Sequence, residues 1–567
     1  MRRQLLSILP LLMSAPVHAA WLHACPASTP APAAPHAVLQ AEAEAKAGGL
    51  RWFVDEQASL PGCTSVRLAP GARVETLYPL DPGETPARTI LLHGNLADGR
   101  FAVSEHELPP AQPAPAAPGP MPLHTNLLAS MGVRVFGAEE RARARIESGQ
   151  LQVDCRAGTR AAGVVLTGPW YLPRANLALA ADIGGDAAGF AWQAADAARA
   201  ERGDALAMPA TPAGMVTHLA LPNGLERASW RQFVLLCPTR QASLRIASLT
   251  LAPAAPRAAA SMARATWVWR PVDWIENGAA LLDWAAGQDI HELFMTVPLK
   301  DGAEASTKSV RNPDLLADFV RRAHARGIRV LSVDGDPHMV LESEVPNVVQ
   351  RVRAYAAYNA QVAPEARLAG IQFDIEPYLL PDAVLPAAQR DARYLAMAQA
   401  LKAAAGELQL EFVVPFWWGG KQALLDGLAA SADALAVMDY RTDPGQVYDF
   451  AVPFLDWASA HGKRVRIALE AGAIEPEVQR RYARAGAGEA GDLQVLDVDG
   501  RQVLVLLRAP VTAPGTQLYR LQSTREIDGS ATTFHRDKAA LVRVLPQLEA
   551  DFGAWDGFGG MAVHELR

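Results

Sequence analysis

The sequence predicts an α/β protein, a C-terminal (β/α)8 barrel of the TIM type preceded by two all-β domains of jelly-roll or β-sandwich character. Three observations carry this expectation. Pro/Ala-rich segments at 26–37, 109–122 and 252–260 bear no core residues, so each reads as an extended spacer between domains. Between the spacers, short apolar or alternating runs are separated by Gly and Pro turns, which is the rhythm of antiparallel sheets. After residue 262 the texture changes to apolar runs alternating with amphipathic helical stretches, and this continues to the end of the sequence.

Composition sets the outer limits. The chain has 567 residues, 53 Lys plus Arg against 60 Asp plus Glu, a formal charge of -7, and half its residues are apolar. A disordered chain, a collagen-like repeat and a small disulfide scaffold are excluded, and three or more domains fit. With no long basic run, neither a nucleic-acid partner nor attraction to an anionic membrane surface is expected. No feature bears on oligomeric state.

Residues 1–20 read as a signal peptide. Arg2 and Arg3 give a positive start, 5–17 is apolar, and Val17-His18-Ala19 offers a small-residue cleavage site. No stretch of about 18 apolar residues follows, so no transmembrane segment is expected. The expectation is an exported protein, periplasmic or secreted. A second reading takes Leu22-His23-Ala24-Cys25 as a lipid-attachment site, although His23 fits that motif poorly. Four Cys allow two disulfides in an oxidising compartment. Cys155 with Cys237 lie in strand-like segments of one predicted domain, and Cys25 with Cys63 make the second pair. There is no CxxC, and neither a metal nor another cofactor is expected.

The first β domain is placed at 38–108, where RWFV, TSVRLA, TILLHG and RFAVSE are separated by LPG, DPG and ADG turns. The second spans 123–253 and reads as a β-sandwich through RIESGQLQVDC, AAGVVLTG, LALAADIG, FVLLC and ASLRIASLTL. Its ending, SLRIASLTLAP, is similar to the last strand of jelly-roll carbohydrate-binding modules. The barrel is placed at 262–567, with strands at 266–269, 292–298, 329–334, 370–376, 410–416, 434–440, 465–470 and 560–564. Helical stretches such as 313–326 and 388–405 lie between them, and a hairpin-bearing insertion falls near 485–525. No strand is followed by a Gly-rich phosphate loop, which argues against an open doubly wound sheet. Nor does G-x-S-x-G, a P-loop or HExxH occur, so serine-hydrolase, nucleotide and zincin chemistry lack support.

Chemistry in such a barrel sits where the strands end. In LAGIQFDIEPY (368–378) alternate side chains face opposite ways, so Ile371, Phe373 and Ile375 share one face and Gln372, Asp374 and Glu376 the other. The polar set points into the barrel, where crowded carboxylates acquire shifted pKa values. Glu376, nearest the mouth, is the natural proton donor, with Asp374 one inward step below. On the seventh strand, Glu470 in VRIALEAG shares its face with Arg466 and Ala468 and points into the same mouth. Thirteen Trp supply stacking faces for sugar rings; Trp417 and Trp418 follow strand five, and Trp269 and Trp274 flank the end of strand one with Arg270 and Asp273. Of the adjacent pair 417 and 418, at most one can face substrate. Asp334, Asp336 and His338 in VDGDPH have the residue types of metal ligands, but strand three ends there, and Asp334 is assigned to the carboxylate network on the substrate side.

The 368–378 segment resembles the fourth-strand signature of glycoside hydrolase family 18, the chitinase-like barrels: acidic, Gly, apolar, acidic, apolar, acidic, any, Glu. Gly370, Ile371, Phe373, Asp374 and Glu376 fit, while Ala369 and Gln372 stand at the first two acidic positions. RVLSVDG on strand three, AVMDYR on strand six and FGGMAVHEL on strand eight echo the same family over the C-terminal half. The resemblance implies that Glu376 is a general acid and that Asp374 orients a substrate N-acetyl group, itself the nucleophile. It also implies that Tyr440 holds that group, with Asp439 beside it, and that His564 floors the sugar site, while Arg441 follows the Tyr in place of an acid. Two alternatives stand beside it. In a retaining glycosidase of the large clan that includes many cellulases, Glu376 would be acid/base and Glu470 the nucleophile, although that clan places Asn where Ile375 stands. In a non-catalytic glycan-binding barrel, the fold would persist without turnover. All three readings expect a polysaccharide or oligosaccharide partner.

Overall fold

A computed structural model describes residues 20–29, 50–80, 89–95, 101–106, 118–137, 140–196, 201–208, 216–219, 232–254, 264–302, 307–381 and 384–567. The expected leader, apart from Ala20, and most of the three Pro/Ala spacers lie outside these residues. No described helix is long and apolar enough to cross a membrane. The chain forms two compact units: Met1–Ala116 with Ile474–Gly529, and Ala117–Ala473 with Ser530–Arg567.

The first unit corrects the expected domain boundaries. Its larger sheet has seven antiparallel strands in the order Val74–Pro79, Arg501–Val511, Gly491–Val498, Gln517–Ile527, Glu477–Arg484, Thr89–Asn95 and Phe101–His106. Segments expected to form a free-standing domain at 38–108 therefore flank four strands from the barrel insertion, which is larger than a hairpin. The physical reason is edge satisfaction: Thr89–Asn95 pairs with Glu477–Arg484, and Val74–Pro79 pairs with Arg501–Val511, so neither outer edge of the inserted strands is left bare. Leu22, Trp52, Leu68 and Leu77 share a core with Val503, Val505, Leu507 and Leu518. A three-stranded sheet, Leu50–Asp55, Trp21–Pro26 and Thr64–Arg67, adjoins it, and Cys25 is bonded to Cys63. With its sulfur in that bond, Cys25 has no thiol to carry a lipid.

The second unit contains a β-sandwich and the barrel. One sandwich sheet runs Glu201–Arg202, Ala191–Asp196, Gln232–Leu236, Ala162–Thr167 and Gly132–Gly137; the other runs Val216–Leu219, Leu177–Gly185, Ala242–Pro253, Gln150–Cys155 and Ala142–Glu147. In Leu177–Gly185 the residues Leu177, Leu179, Ala181 and Ile183 are buried in strict alternation, the period of a half-covered strand. A disulfide between Cys155 and Cys237 ties the two sheets together.

Eight parallel strands close the barrel: β1 Arg264–Val268, β2 Ile290–Met295, β3 Arg329–Asp334, β4 Gly370–Phe373, β5 Gln409–Pro415, β6 Ala434–Met438, β7 Arg464–Glu470 and β8 Phe558–His564. Amphipathic helices such as Pro313–His324 and Val345–Gln361 cover the outside; after β7 the chain makes its long excursion before the helix Lys538–Phe552 returns it to β8. Inside, Ala265, Trp267, Phe294, Leu331, Val333, Val413, Ala436, Ala468 and Ala562 form a separate core, while Ile371, Phe373 and Ile375 belong to the outer one. Trp267 donates its N–H to Gln372 (2.6 Å), Gln372 donates to Glu411 (2.7 Å), and Arg466 lies between Glu411 (3.1 Å) and Glu292. This buried layer is tied together by internal hydrogen bonds and ion pairs and sits one step below the mouth.

Candidate active site

Asp374 and Glu376 follow β4, where the chain leaves the sheet for a 3-10 turn at Pro377–Leu379. Pro377 opens that turn and folds Tyr378 back, so that its hydroxyl donates to Glu376 Oε1. Asp374 is anchored through its backbone, its N–H reaching the Asp334 carbonyl at 2.9 Å. Gly335 makes the approach feasible, since a Cβ there would strike the carbonyl oxygen of Asp374. The buried Asp374 Oδ1 has no hydrogen-bond partner. Burial, and then the Glu376 carboxylate, pushes Asp374 up to about 7, with His564 working the other way.

Three more strand ends converge on these carboxylates. Glu470, last on β7, accepts from Gly472 N–H (2.6 Å) and from His564 Nδ1 (2.9 Å). Burial alone would raise it, but the His564 hydrogen bond and charge, with the backbone N–H groups of Gly472 and Ala471, hold it below the ordinary carboxylate value. His564, last on β8, accepts the Trp269 indole N–H at Nε2 (2.8 Å), so its tautomer is set with the proton on Nδ1 facing Glu470. Burial disfavours the imidazolium, yet the hydrogen bond and charge of Glu470, with Glu565 and Asp374, leave the ring above its ordinary value. Tyr440, two residues past β6, stacks on His564 with ring centroids 6.2 Å apart. Burial, then Glu470, Asp374 and Glu376, pushes its hydroxyl far above the usual phenol range, so it stays a donor at any physiological pH.

The remaining expected residues divide. Trp417 is 49% exposed at the head of the β5 loop and meets Tyr378 edge-on, with centroids 5.0 Å apart. Trp418 is buried against Tyr394 at 4.9 Å and takes no place at the mouth. Trp274 is likewise core, donating to the Thr296 carbonyl. Arg270 is exposed and lies 3.9 Å from Asp273.

Two carboxylates assigned to substrate face the wrong way. On β3, Leu331 and Val333 line the interior, so Asp334 points outward, where Arg351 and the Tyr355 hydroxyl (3.1 Å) hold it. On β6, Met438 and Tyr440 border the interior, which turns Asp439 outward; it is fully buried, and neither oxygen has a hydrogen-bond partner. Burial pushes Asp439 up to about 8, Arg441 opposing and Asp449 adding. Asp336 and His338 are exposed, and Asp336 caps the turn Pro337–Val340 by accepting the His338 N–H (2.7 Å). Among the described residues no cluster of His, Cys, Asp and Glu could hold a metal.

The sequence reading did not single out Tyr378, although it closes the quoted LAGIQFDIEPY segment. The signal was Pro377, which forces a turn immediately after the acid and returns the next side chain to it.

The fold and site together define an eight-stranded parallel barrel with an acidic, aromatic-flanked mouth. Solved structures similar to the chain include a xylanase and chitinases. One is the endo-1,4-β-D-xylanase 10B of Clostridium thermocellum, CBM22-1 and GH10 modules with xylohexaose (10% identity, 62% of this chain and 80% of that one, TM-score 0.28). A chitinase of Chromobacterium violaceum matches at 15% identity over 53% of this chain and 93% of that one (TM-score 0.29). A GH18 chitinase of Cycas revoluta in complex with (GlcNAc)4 matches at 10% identity over 53% and 94% (TM-score 0.30). Likenesses of this degree define neither a family nor an activity for the chain. No protein-family model matches it, and no curated protein matches its sequence.

Proposed function

We propose that the protein is an exported glycoside hydrolase that cleaves a polysaccharide or oligosaccharide with Glu376 as general acid and Asp374 assisting. The observation that carries this reading is the pair itself: two carboxyl groups past the end of β4, Asp374 with a buried, unpartnered oxygen and raised to about 7 beside Glu376. Such a pair can keep one proton available at neutral pH, which protonation of a glycosidic oxygen requires.

In the substrate-assisted course, Glu376 gives its proton to the leaving oxygen as the glycosidic C–O bond breaks. The carbonyl oxygen of the substrate's own acetamido group forms a bond to C1 in its place. Water then opens that ring and returns a proton to Glu376. The unpartnered Asp374 Oδ1 suits acceptance of the acetamido N–H, and the Tyr440 hydroxyl suits donation to its carbonyl. A retaining course with Glu470 as nucleophile draws support from its lowered pKa. Both its oxygens are already engaged, however, by Gly472 and His564, which fits a residue that positions His564 better than one that attacks carbon.

The test is turnover of N-acetylated and neutral polysaccharides by wild type and Glu376→Gln. Hydrolysis by wild type, lost in the variant with glycan binding retained, is the expected result, and activity confined to N-acetylated glycans selects the substrate-assisted course. Binding by both proteins with no turnover of any glycan by wild type would replace the enzyme with a glycan-binding barrel.

A further inference from the structure

Beside the acidic mouth lies a cavity of about 430 Å3, bordered by Trp269, Arg270, Asp273, Trp284, Glu565 and Arg567. It opens next to the reacting groups, because Trp269 is the residue whose N–H is fixed on His564. Its volume is in the range of small-ligand sites. Two indoles border it, Trp269 and Trp284; Trp284 is partly buried against the core with the Arg567 guanidinium 6.0 Å from its ring centroid, and what it leaves open is apolar surface of the kind that C–H groups of pyranose rings cover. Its charged groups are two guanidiniums, which donate, and two carboxylates, which accept, so the site offers partners to sugar hydroxyls without a net field for an anion. The Arg270 side chain is 75% exposed and, 3.9 Å from Asp273, is not locked in a tight ion pair.

Resting on the glycan reading of the mouth, we propose that this cavity is an outer subsite for one neutral, hydroxyl-rich pyranose of a glycan chain. Barrel closure determines what lies across from it. In the strand order β1 to β8, β1 and β5 are opposite one another, and the exposed Trp417 stands at the end of β5. A glycan reaching from the cavity toward Trp417 therefore crosses the mouth over the ends of β4 and β6 to β8, where Glu376, Tyr440, Glu470 and His564 converge. The ligand is thus an extended chain, and affinity should grow with its length.

The test holds glycans uncleaved with Glu376→Gln and measures, by calorimetry, affinities for chitobiose, chitohexaose, cellobiose, cellohexaose and hexagalacturonate. We expect one neutral hexamer to bind at least about tenfold more tightly than its dimer. Adding Trp284→Ala should remove roughly five- to tenfold of the hexamer affinity and leave the dimer unchanged. Arg270→Ala, at an exposed side chain that the fold does not need, should show the same selectivity with a smaller loss. The subsite is overturned if both variants leave hexamer affinity unmoved, if dimer and hexamer lose equally, if hexagalacturonate binds most tightly, or if no glycan binds. Failure of the hydrolase reading looks different: the length-dependent pattern persists while wild type turns over none of the glycans that bind.

Discussion

Asp439→Asn should stabilise the protein increasingly as pH rises. Asp439 is fully buried, its two oxygens lack partners, and burial moves it from an ordinary 3.8 to about 8. Between those values the folded protein keeps a proton that the unfolded chain has lost. Because the unfolded chain then binds one proton fewer, stability falls as pH rises, by about 1.4 kcal/mol per pH unit, and the fall ends near pH 8 where both states are ionised. From about pH 5 to about pH 8 this one group costs wild type roughly 4 kcal/mol. Asn keeps the shape and does not titrate. Its unpaired amide costs roughly 1–3 kcal/mol at every pH, an offset that leaves the slope untouched. Urea unfolding of both proteins at four pH values across that range, at constant ionic strength, reads the difference directly. The difference should move in favour of Asn by about 1 kcal/mol or more per pH unit. A flat difference, or one moving toward Asp, would refute a buried acid without partners as the source of the effect.

Gly335→Ala should reduce kcat/KM by on the order of 100-fold with the barrel still folded, because the new Cβ displaces Asp374 from the Glu376 side of the mouth; circular dichroism together with kinetics checks this, and unchanged kinetics would show that Asp374 placement is not limiting. The kcat/KM profile should fall toward acid with an apparent pKa near 7 as Asp374 takes up its proton, and Asp374→Asn should remove that limb and lower the plateau. A limb that survives in the variant belongs to another group. Replacing both Cys155 and Cys237 by Ser should lower stability by roughly 2–4 kcal/mol, since their bond spans 82 residues and ties the two sandwich sheets. A melting temperature indifferent to that change would mean that the sheets hold together without the bond.

Side-chain alternation explains which site residues were legible in the sequence and which were misread. Applied to β4, it separates Ile371, Phe373 and Ile375, which pack on the outer core, from Gln372, which reaches Trp267 inside the barrel. Asp334 was drawn toward the substrate by its place at a strand end and Asp439 by the resemblance that brings in its neighbour Tyr440, yet the same alternation turns both outward, because Leu331, Val333, Met438 and Tyr440 hold the inward positions. Nearness to a strand end brings a residue to the right height in the barrel; parity decides whether it meets substrate. The pairing of Thr89–Asn95 with Glu477–Arg484 left no local trace of any kind, since each strand reads as an ordinary half-buried run and the partner is almost four hundred residues away.

Gln372 shows how a single departure from a motif redistributes charge. The resemblance to family 18 places an acid there, directly below Asp374. In this barrel the amide instead accepts from Trp267 and donates to Glu411, which closes the lower polar layer with Arg466 and Glu292. A carboxylate at 372 could not donate to Glu411, and the layer would gain a third buried acid with no further guanidinium to balance it. With a neutral group in that place, Asp374 has no acid beneath it, and after burial itself the charge that raises its pKa is Glu376. The polar layer below therefore adds nothing to what raises Asp374, and its hydrogen bonds and ion pairs serve to fix the barrel interior.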